Sequence, residues 1–336
     1  VCCFYGYVRK LVPDPTPPPA ATLPAWLSET GLFEDVATLT PSPGVLEYDV
    51  QSPLWSDGAE KRRWLALPGT ARIAFAADSA FAFPVGTALV KHFELETAPG
   101  ATTRFETRVF VHQETGWLGF AYRWNQAGTD AALVGDAGES FAYDVALPGG
   151  GVEARTWTIP SRGECLSCHT RAAGRVLGVR ARQLNRDFAF PLRVDNQLRT
   201  WNHIGLFTTD IGAAEQYAAH ADPADVTADL DARARAYLDA NCANCHRPQG
   251  PTPVDLDLRT EVANGARNLF GVAATSPVPG GVGQRAVAGD RAASDLWLRV
   301  GRRDAFAMPP LGSHVVDDLA GTLLGAWIDS DPTAGQ

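Results

Sequence analysis

The alternation of apolar and polar positions divides the chain into stretches of different period. From about residue 45 to residue 159 the period is two. Leu89, Phe93 and Leu95 point one way while His92, Glu94 and Glu96 point the other, and Phe105, Thr107, Val109 and Val111 alternate with Arg104, Glu106, Arg108 and His112. Such runs, broken by turn residues at Pro99-Gly100 and Gly149-Gly150-Gly151, predict antiparallel strands of a sandwich or barrel. Ahead of them, Leu23 to Leu39 predicts a short helix and turn. After Pro160 the strand periodicity stops, and residues 161–222 are expected to hold two short helices. From Thr227 the period is helical: Leu230, Ala234, Tyr237 and Leu238 fall at i, i+4, i+7 and i+8, which predicts a helix over Ala228 to Asn241. Leu319, Leu323, Ala326 and Trp327 repeat that spacing behind Asp317 and Asp318, whose carboxylates suit a helix N-terminus. These two helices are expected to cross. The fold class is therefore α+β and multidomain: an antiparallel β-sandwich or barrel, then two mainly α-helical regions. The boundaries read as 1–22 for an extended tail and proline-rich spacer, 23–159 for the β-rich domain, and 160–225 and 226–336 for the helical regions.

Composition narrows the class. The 336 residues are 45% hydrophobic and 20% charged, as in ordinary globular domains. No run of about 18 apolar residues occurs, so no membrane-spanning helix is expected. A net charge of −9 argues against nucleic acid as a partner. No cleavable leader is visible at Val1, because the basic pair Arg9-Lys10 follows the apolar start rather than preceding it, so the sequence reads as a mature form. Val1 to Val8 is aromatic and β-leaning, and the proline run that begins at Pro13 reads as a semi-rigid spacer. Cys2 and Cys3 there are open to three readings: inert thiols, an intermolecular disulfide or a lipid anchor. Trp55, Trp64, Trp117, Trp124 and Trp157 read as core. Between Arg155 and Arg199 nine Arg face three acids, a local excess of +6. A solvated face, cofactor carboxylates and an acidic partner protein are its three readings.

The chemistry lies in two short motifs. Cys165-Leu166-Ser167-Cys168-His169 recurs as Cys242-Ala243-Asn244-Cys245-His246. In the pattern CxxCH two thiols add to the vinyl groups of a haem, and the adjacent His supplies an axial iron ligand. With six Cys and seven His in the chain, one such match arises by chance about twice in a thousand sequences of this composition, so two are not accidental. A zinc or thiol-redox CxxC pair is the competing reading, and no second CxxC stands at zinc-ribbon spacing. Two covalently bound c-type haems are therefore expected, held by Cys165, Cys168, Cys242 and Cys245 with His169 and His246 as proximal ligands. The helical regions then become two c-type haem regions.

Met308, the only methionine, stands 62 residues after His246 in Met308-Pro309-Pro310 and is the expected distal ligand of the second haem. For the first haem His203 is expected, 34 residues after His169 and bracketed by Trp201, Ile204 and Phe207. His92 is next, then His112; an open site and a ligand from another chain also stand. His220, in an Asp-flanked linker, reads as solvated, and His314 belongs to the second region.

Two resemblances follow from these residues. Asp231 to Ile328, with its order of helix, CxxCH, loops, Met-Pro and terminal helix, resembles a class I cytochrome c. The stretch Ile159-Pro160-Ser161-Arg162-Gly163-Glu164 leading into the first signature, with Gln183-Leu184-Asn185-Arg186, Asn196-Gln197-Leu198, Ser52-Pro53-Leu54-Trp55-Ser56-Asp57-Gly58-Ala59 and Phe83-Pro84-Val85-Gly86-Thr87, resembles a family of bacterial dihaem c-type cytochromes with a β-rich N-terminal half. The resemblance covers nearly the whole chain outside Val1 to Lys10 and implies electron transfer between redox partner proteins, a dehydrogenase or oxidase on one side and an acceptor cytochrome on the other. It leaves catalysis open, with a carrier the leading expectation and no catalytic residue assigned. Haem attachment to CxxCH implies an exported protein, periplasmic, extracellular or at the cell surface. Two alternatives stand beside the carrier. One is a subunit of an extracellular cytochrome filament assembled through residues 1–13 by strand addition. The other is a dihaem peroxidase, whose known pattern sets its signatures further apart than the 77 residues between Cys165 and Cys242.

Overall fold

The computed structural model describes residues 23–147 and 149–334, together with the strands Cys2–Phe4 and Tyr7–Arg9, which pair with each other. The tail and spacer reading of residues 1–22, the readings of Cys2 and Cys3, and assembly through residues 1–13 otherwise lie outside the described residues.

The chain is mixed α+β with antiparallel sheets. Six strands, β1 (Val45–Tyr48), β2 (Glu60–Ala66), β3 (Ala88–Ala98), β4 (Ala101–Gln113), β5 (Gly116–Trp124) and β6 (Ala131–Leu133), pair in chain order as an open meander. It is not closed into a barrel. A separate hairpin, β7 (Glu139–Ala146) with β8 (Val152–Ile159), packs over part of it, with Trp157 stacked on Phe105 at 4.8 Å.

Both faces of the sheet are covered, which sequence alternation alone did not anticipate. On one face Trp64, Val90, Val109, Tyr122 and Trp124 pack against Leu27, Leu32, Phe33, Val36 and Leu39 of the preceding segment. His92 shares this face and is 0% exposed, so its polar strand face is buried rather than open. It lies with Nδ1 2.8 Å from Thr107 Oγ1, Nε2 3.3 Å from Glu94 and its ring edge-on to Trp124. A second correction concerns Phe105. A bulge opposite Phe93 and Glu94 breaks the alternation, and Phe105 turns to the cluster of Phe93 and Trp157 rather than that of Val109.

On the other face Leu65, Leu89 and Phe110 share one core with Val176, Val179, Leu184, Leu198, Trp201 and Phe207. Residues 160–225 therefore complete the core of the sheet. They carry α1 (Arg162–Cys168), α2 (Ala181–Leu184) and α3 (Gln197–His203). By contrast, α4 (Leu230–Asn241), α5 (Asp295–Val300) and α6 (Asp318–Asp329) close a core drawn from residues 230–328. Asp229 and Asp317 cap α4 and α6 by accepting from Ala232 N and Ala320 N. The two helices pack together through Tyr237 Oη donating to Asp317 (2.8 Å) and Trp327 Nε1 to Asp231 (2.8 Å).

The β-rich and C-terminal parts are tied by the segment before β2. Asp57 accepts from the backbone N–H groups of His314 (2.8 Å) and Val315 (2.9 Å), Trp55 Nε1 donates to the Val315 carbonyl, and Ser52 Oγ to that of Ala236. No helix among the described residues is long and apolar enough to cross a membrane.

Candidate cofactor site

The first signature is launched by a reciprocal cap. Ser161 Oγ accepts from Glu164 N (3.2 Å) while Glu164 accepts from Ser161 N (2.8 Å), which starts α1 immediately ahead of Cys165. The helix lies close on β5, where a Cβ added to Gly119 would touch Cys165 Sγ at 3.5 Å. His169 ends α1 with Nδ1 2.7 Å from the Arg175 carbonyl and its ring 4.5 Å from Phe110. A ring N–H donated to a carbonyl fixes the tautomer and leaves the Nε2 lone pair free, as a metal-ligating His requires. Burial pulls the imidazole down to about 4, so it is neutral at ordinary pH.

The second signature sits at the end of α4. Cys242 is the C-cap residue, and the backbone of His246 is anchored by Leu258 N donating to its carbonyl (3.0 Å). His246 Nδ1 is buried without a partner among the described residues. Burial, then the charges of Arg285 and Arg299, hold this imidazole below its ordinary range.

The two motifs meet. Cys245 Sγ lies 3.5 Å from the carbonyl of Ser167, the residue just before Cys168. The Cys245 thiol pulls Cys168 down to about 7, and Cys168 pushes Cys245 up. All four signature thiols, both signature imidazoles and Met308 line one cavity of about 750 Å³. That volume lies toward the upper end of the range of small-molecule sites, about 300–1,000 Å³. One wall is the sheet face of β3 to β5 and another is the C-terminal core with Leu256, Leu258 and Leu269. Met308 is held there by its N–H donating to the Arg299 carbonyl (3.1 Å).

The other histidines lie elsewhere. His203 is exposed at the C-terminal end of α3 and does not line the cavity. His92 is enclosed in the opposite face of the sheet. His112 donates from Nδ1 to the Phe83 carbonyl (3.0 Å), with its ring stacked on Trp117. His220, expected in solvent, is buried with Nε2 3.2 Å from Asp239, because α4 brings that carboxylate against the linker. His314 bonds Thr158.

Of the nine arginines between Arg155 and Arg199, six pair with carboxylates of this chain: Arg155, Arg162, Arg182, Arg186, Arg193 and Arg199. Most of the local positive charge is thus answered internally. The sheet wall of the cavity carries a different set of cations. Arg63, Lys91 and Arg108 are direct cross-strand neighbours on β2, β3 and β4, and like charges so placed repel. Arg63 is answered by Asp49 at 2.6 Å. Arg108 makes two bonds to Glu106, which is fully buried and also accepts from Trp157 Nε1 at 3.1 Å. Lys91 has no carboxylate or carbonyl partner among the described residues, and its ammonium lies 5.3 Å over the Phe93 ring. Burial, then Arg63, Lys61 and Arg108, holds it well below the lysine range. The sequence carried a signal for it: alternation puts Lys91 on the apolar face with Leu89 and Phe93.

Four thiols and two buried imidazoles, one with a committed Nδ1 and one whose Nδ1 has no partner among the described residues, converge with a thioether on a largely apolar cavity. This donor set fits covalent haem. Comparison with family models, curated proteins and solved structures yields no match for the chain.

Proposed function

We propose that this chain is an exported dihaem c-type cytochrome that passes single electrons between redox partner proteins. The observation that carries the reading is the convergence of both CxxCH motifs on one cavity, with Cys245 Sγ 3.5 Å from the Ser167 carbonyl. In this reading Cys165 and Cys168 hold one haem, and Cys242 and Cys245 the other, through thioether bonds. His169 and His246 would each offer a ring nitrogen to iron, and Met308 would offer its thioether sulfur at the second site. Bound haem supplies a one-electron Fe(III)/Fe(II) couple at each site. The protein's part is to hold the ligand atoms, exclude water through the sheet and the C-terminal core, and keep the two attachment points adjacent so that an electron has a short internal route. Helix α1 is held by its capping box and lies close on β5 at Gly119, and α4 is held by its bonds to α6, so both attachment points sit on packed helices.

Reductive titration of the purified protein, followed by visible absorbance, is expected to take up two electrons per chain in one-electron steps. A protein whose absorbance does not respond to reductant contradicts the proposal.

A further inference from the structure

We propose that Lys91 is the distal ligand of the first haem, which makes that centre His169/Lys91 beside a His246/Met308 centre. The inference rests on the dihaem reading above and names a residue that reading leaves unassigned.

The cavity itself narrows the choice. Beyond the two proximal imidazoles, no histidine lines it. The guanidinium groups on its walls have no lone pair to offer. Of the carboxylates there, Glu106 accepts from Arg108 and Trp157, Glu164 from Ser161, Asp57 from the His314 and Val315 backbone, and Asp239 from Thr260, while Asp295, which accepts from Val278 through one oxygen, belongs to α5 on the side of the second signature. Tyr48 lies edge-on to Trp201 in the shared core. With Met308 given to the second site, the remaining side chain with a donor nitrogen is Lys91.

Its position suits the role. β3 presents Lys91 on the same face as Leu89, whose neighbour Phe110 carries the His169 ring. Lys91 lines the same cavity as Cys165, Cys168 and His169 of the first signature. The flanking Arg63 and Arg108 each have an ion-pair partner, whereas Lys91, set between two cations, makes no ion pair among the described residues and has only the attraction of Glu106, which Arg108 already holds. An ammonium in that position is destabilised by both neighbours. Ligation removes the conflict: Nζ gives one proton to solvent, and its lone pair forms the bond to iron. No electron changes hands.

The test uses the holoprotein. The chain has three lysines, at positions 10, 61 and 91, so lysine-selective isotope labelling gives a readable spectrum. In the reduced protein one lysine should show side-chain methylene protons moved far upfield by the porphyrin ring current. In Lys91→Arg, which keeps the charge and removes the donor, that signal should vanish. About half of the haem iron should then turn high-spin in electron paramagnetic resonance. If all lysine resonances sit at ordinary positions, or if Lys91→Arg leaves both haems low-spin, Lys91 is a counter-charge and the proposal is overturned. Should the variant fail to fold, the wild-type resonance spectrum still decides. A chain without covalent haem overturns the dihaem reading itself, and its colourless solution reveals that before any variant is made.

Discussion

Replacing Cys242 and Cys245 together by Ser should lower the midpoint of thermal unfolding by about 8–16 °C while leaving roughly half the haem absorbance. The substitution changes little volume but removes both attachment points of the second haem. Leu256, Leu258, Leu269 and Val300 line the cavity and also belong to the C-terminal core, so without the cofactor these side chains face water or an empty space. Truncating one large buried aromatic costs about 3–5 kcal/mol. A haem buries more apolar surface than any side chain, so a loss of at least about 4 kcal/mol is the floor, and each kcal/mol moves the midpoint by about 2–4 °C in a domain of this size. The loss should be felt first in α4 and α6, whose packing on each other includes Tyr237 to Asp317 and Trp327 to Asp231. Thermal melts by far-ultraviolet circular dichroism on the two purified proteins make the comparison. An unchanged midpoint would show that the cavity's walls do not depend on a filled site.

Met308→Ala should lower the reduction potential of one haem by on the order of a hundred millivolts, inside the span of about 0.8 V over which axial ligands set haem potentials. A soft thioether stabilises ferrous iron relative to ferric, so its loss favours the oxidised state. Met308 lines the cavity and is pinned by its backbone bond to Arg299, so the substitution acts on one donor atom with little change to the chain around it. The weak sulfur-to-iron band of the oxidised spectrum should vanish with it, while the potential of the other haem stays within a few tens of millivolts. Spectroelectrochemical titration of wild type and variant reads both effects. If neither the band nor either potential moves, Met308 is a packing residue.

Local signals in the sequence were reliable where the structure depends on neighbours along the chain. The helix expected over Ala228 to Asn241 is Leu230–Asn241, and Asp317 caps the last helix from the position the acidic pair suggested. The strands of the meander follow the period-two runs. What escaped depends on contacts between distant residues. Alternation says that a strand has two unlike faces, but not what covers each. It could not show that Leu27 to Leu39 wraps the face of His92, or that Lys91 opens on the cavity. The bulge at Phe105 inserts one residue and moves an aromatic ring between clusters, an event no period reveals. His220 looked solvated because its buried partner Asp239 is 19 residues away on another element. The boundary drawn at residue 160 separates two compositions, yet Leu89 and Phe110 share a core with Leu184 and Trp201 across it. The meeting of Cys245 with Ser167 is of the same kind: two motifs 77 residues apart carry no mark that they will touch.

The central claim is that one chain carries two covalent haems on one cavity. Intact mass of the purified protein, paired with a pyridine haemochrome assay on the same sample, tests it most directly. The expected result is a single species heavier than the polypeptide by two haems, with two haems per chain by absorbance and no loss on acid-acetone extraction. A mass equal to the bare chain, or to the chain with one haem, contradicts the account.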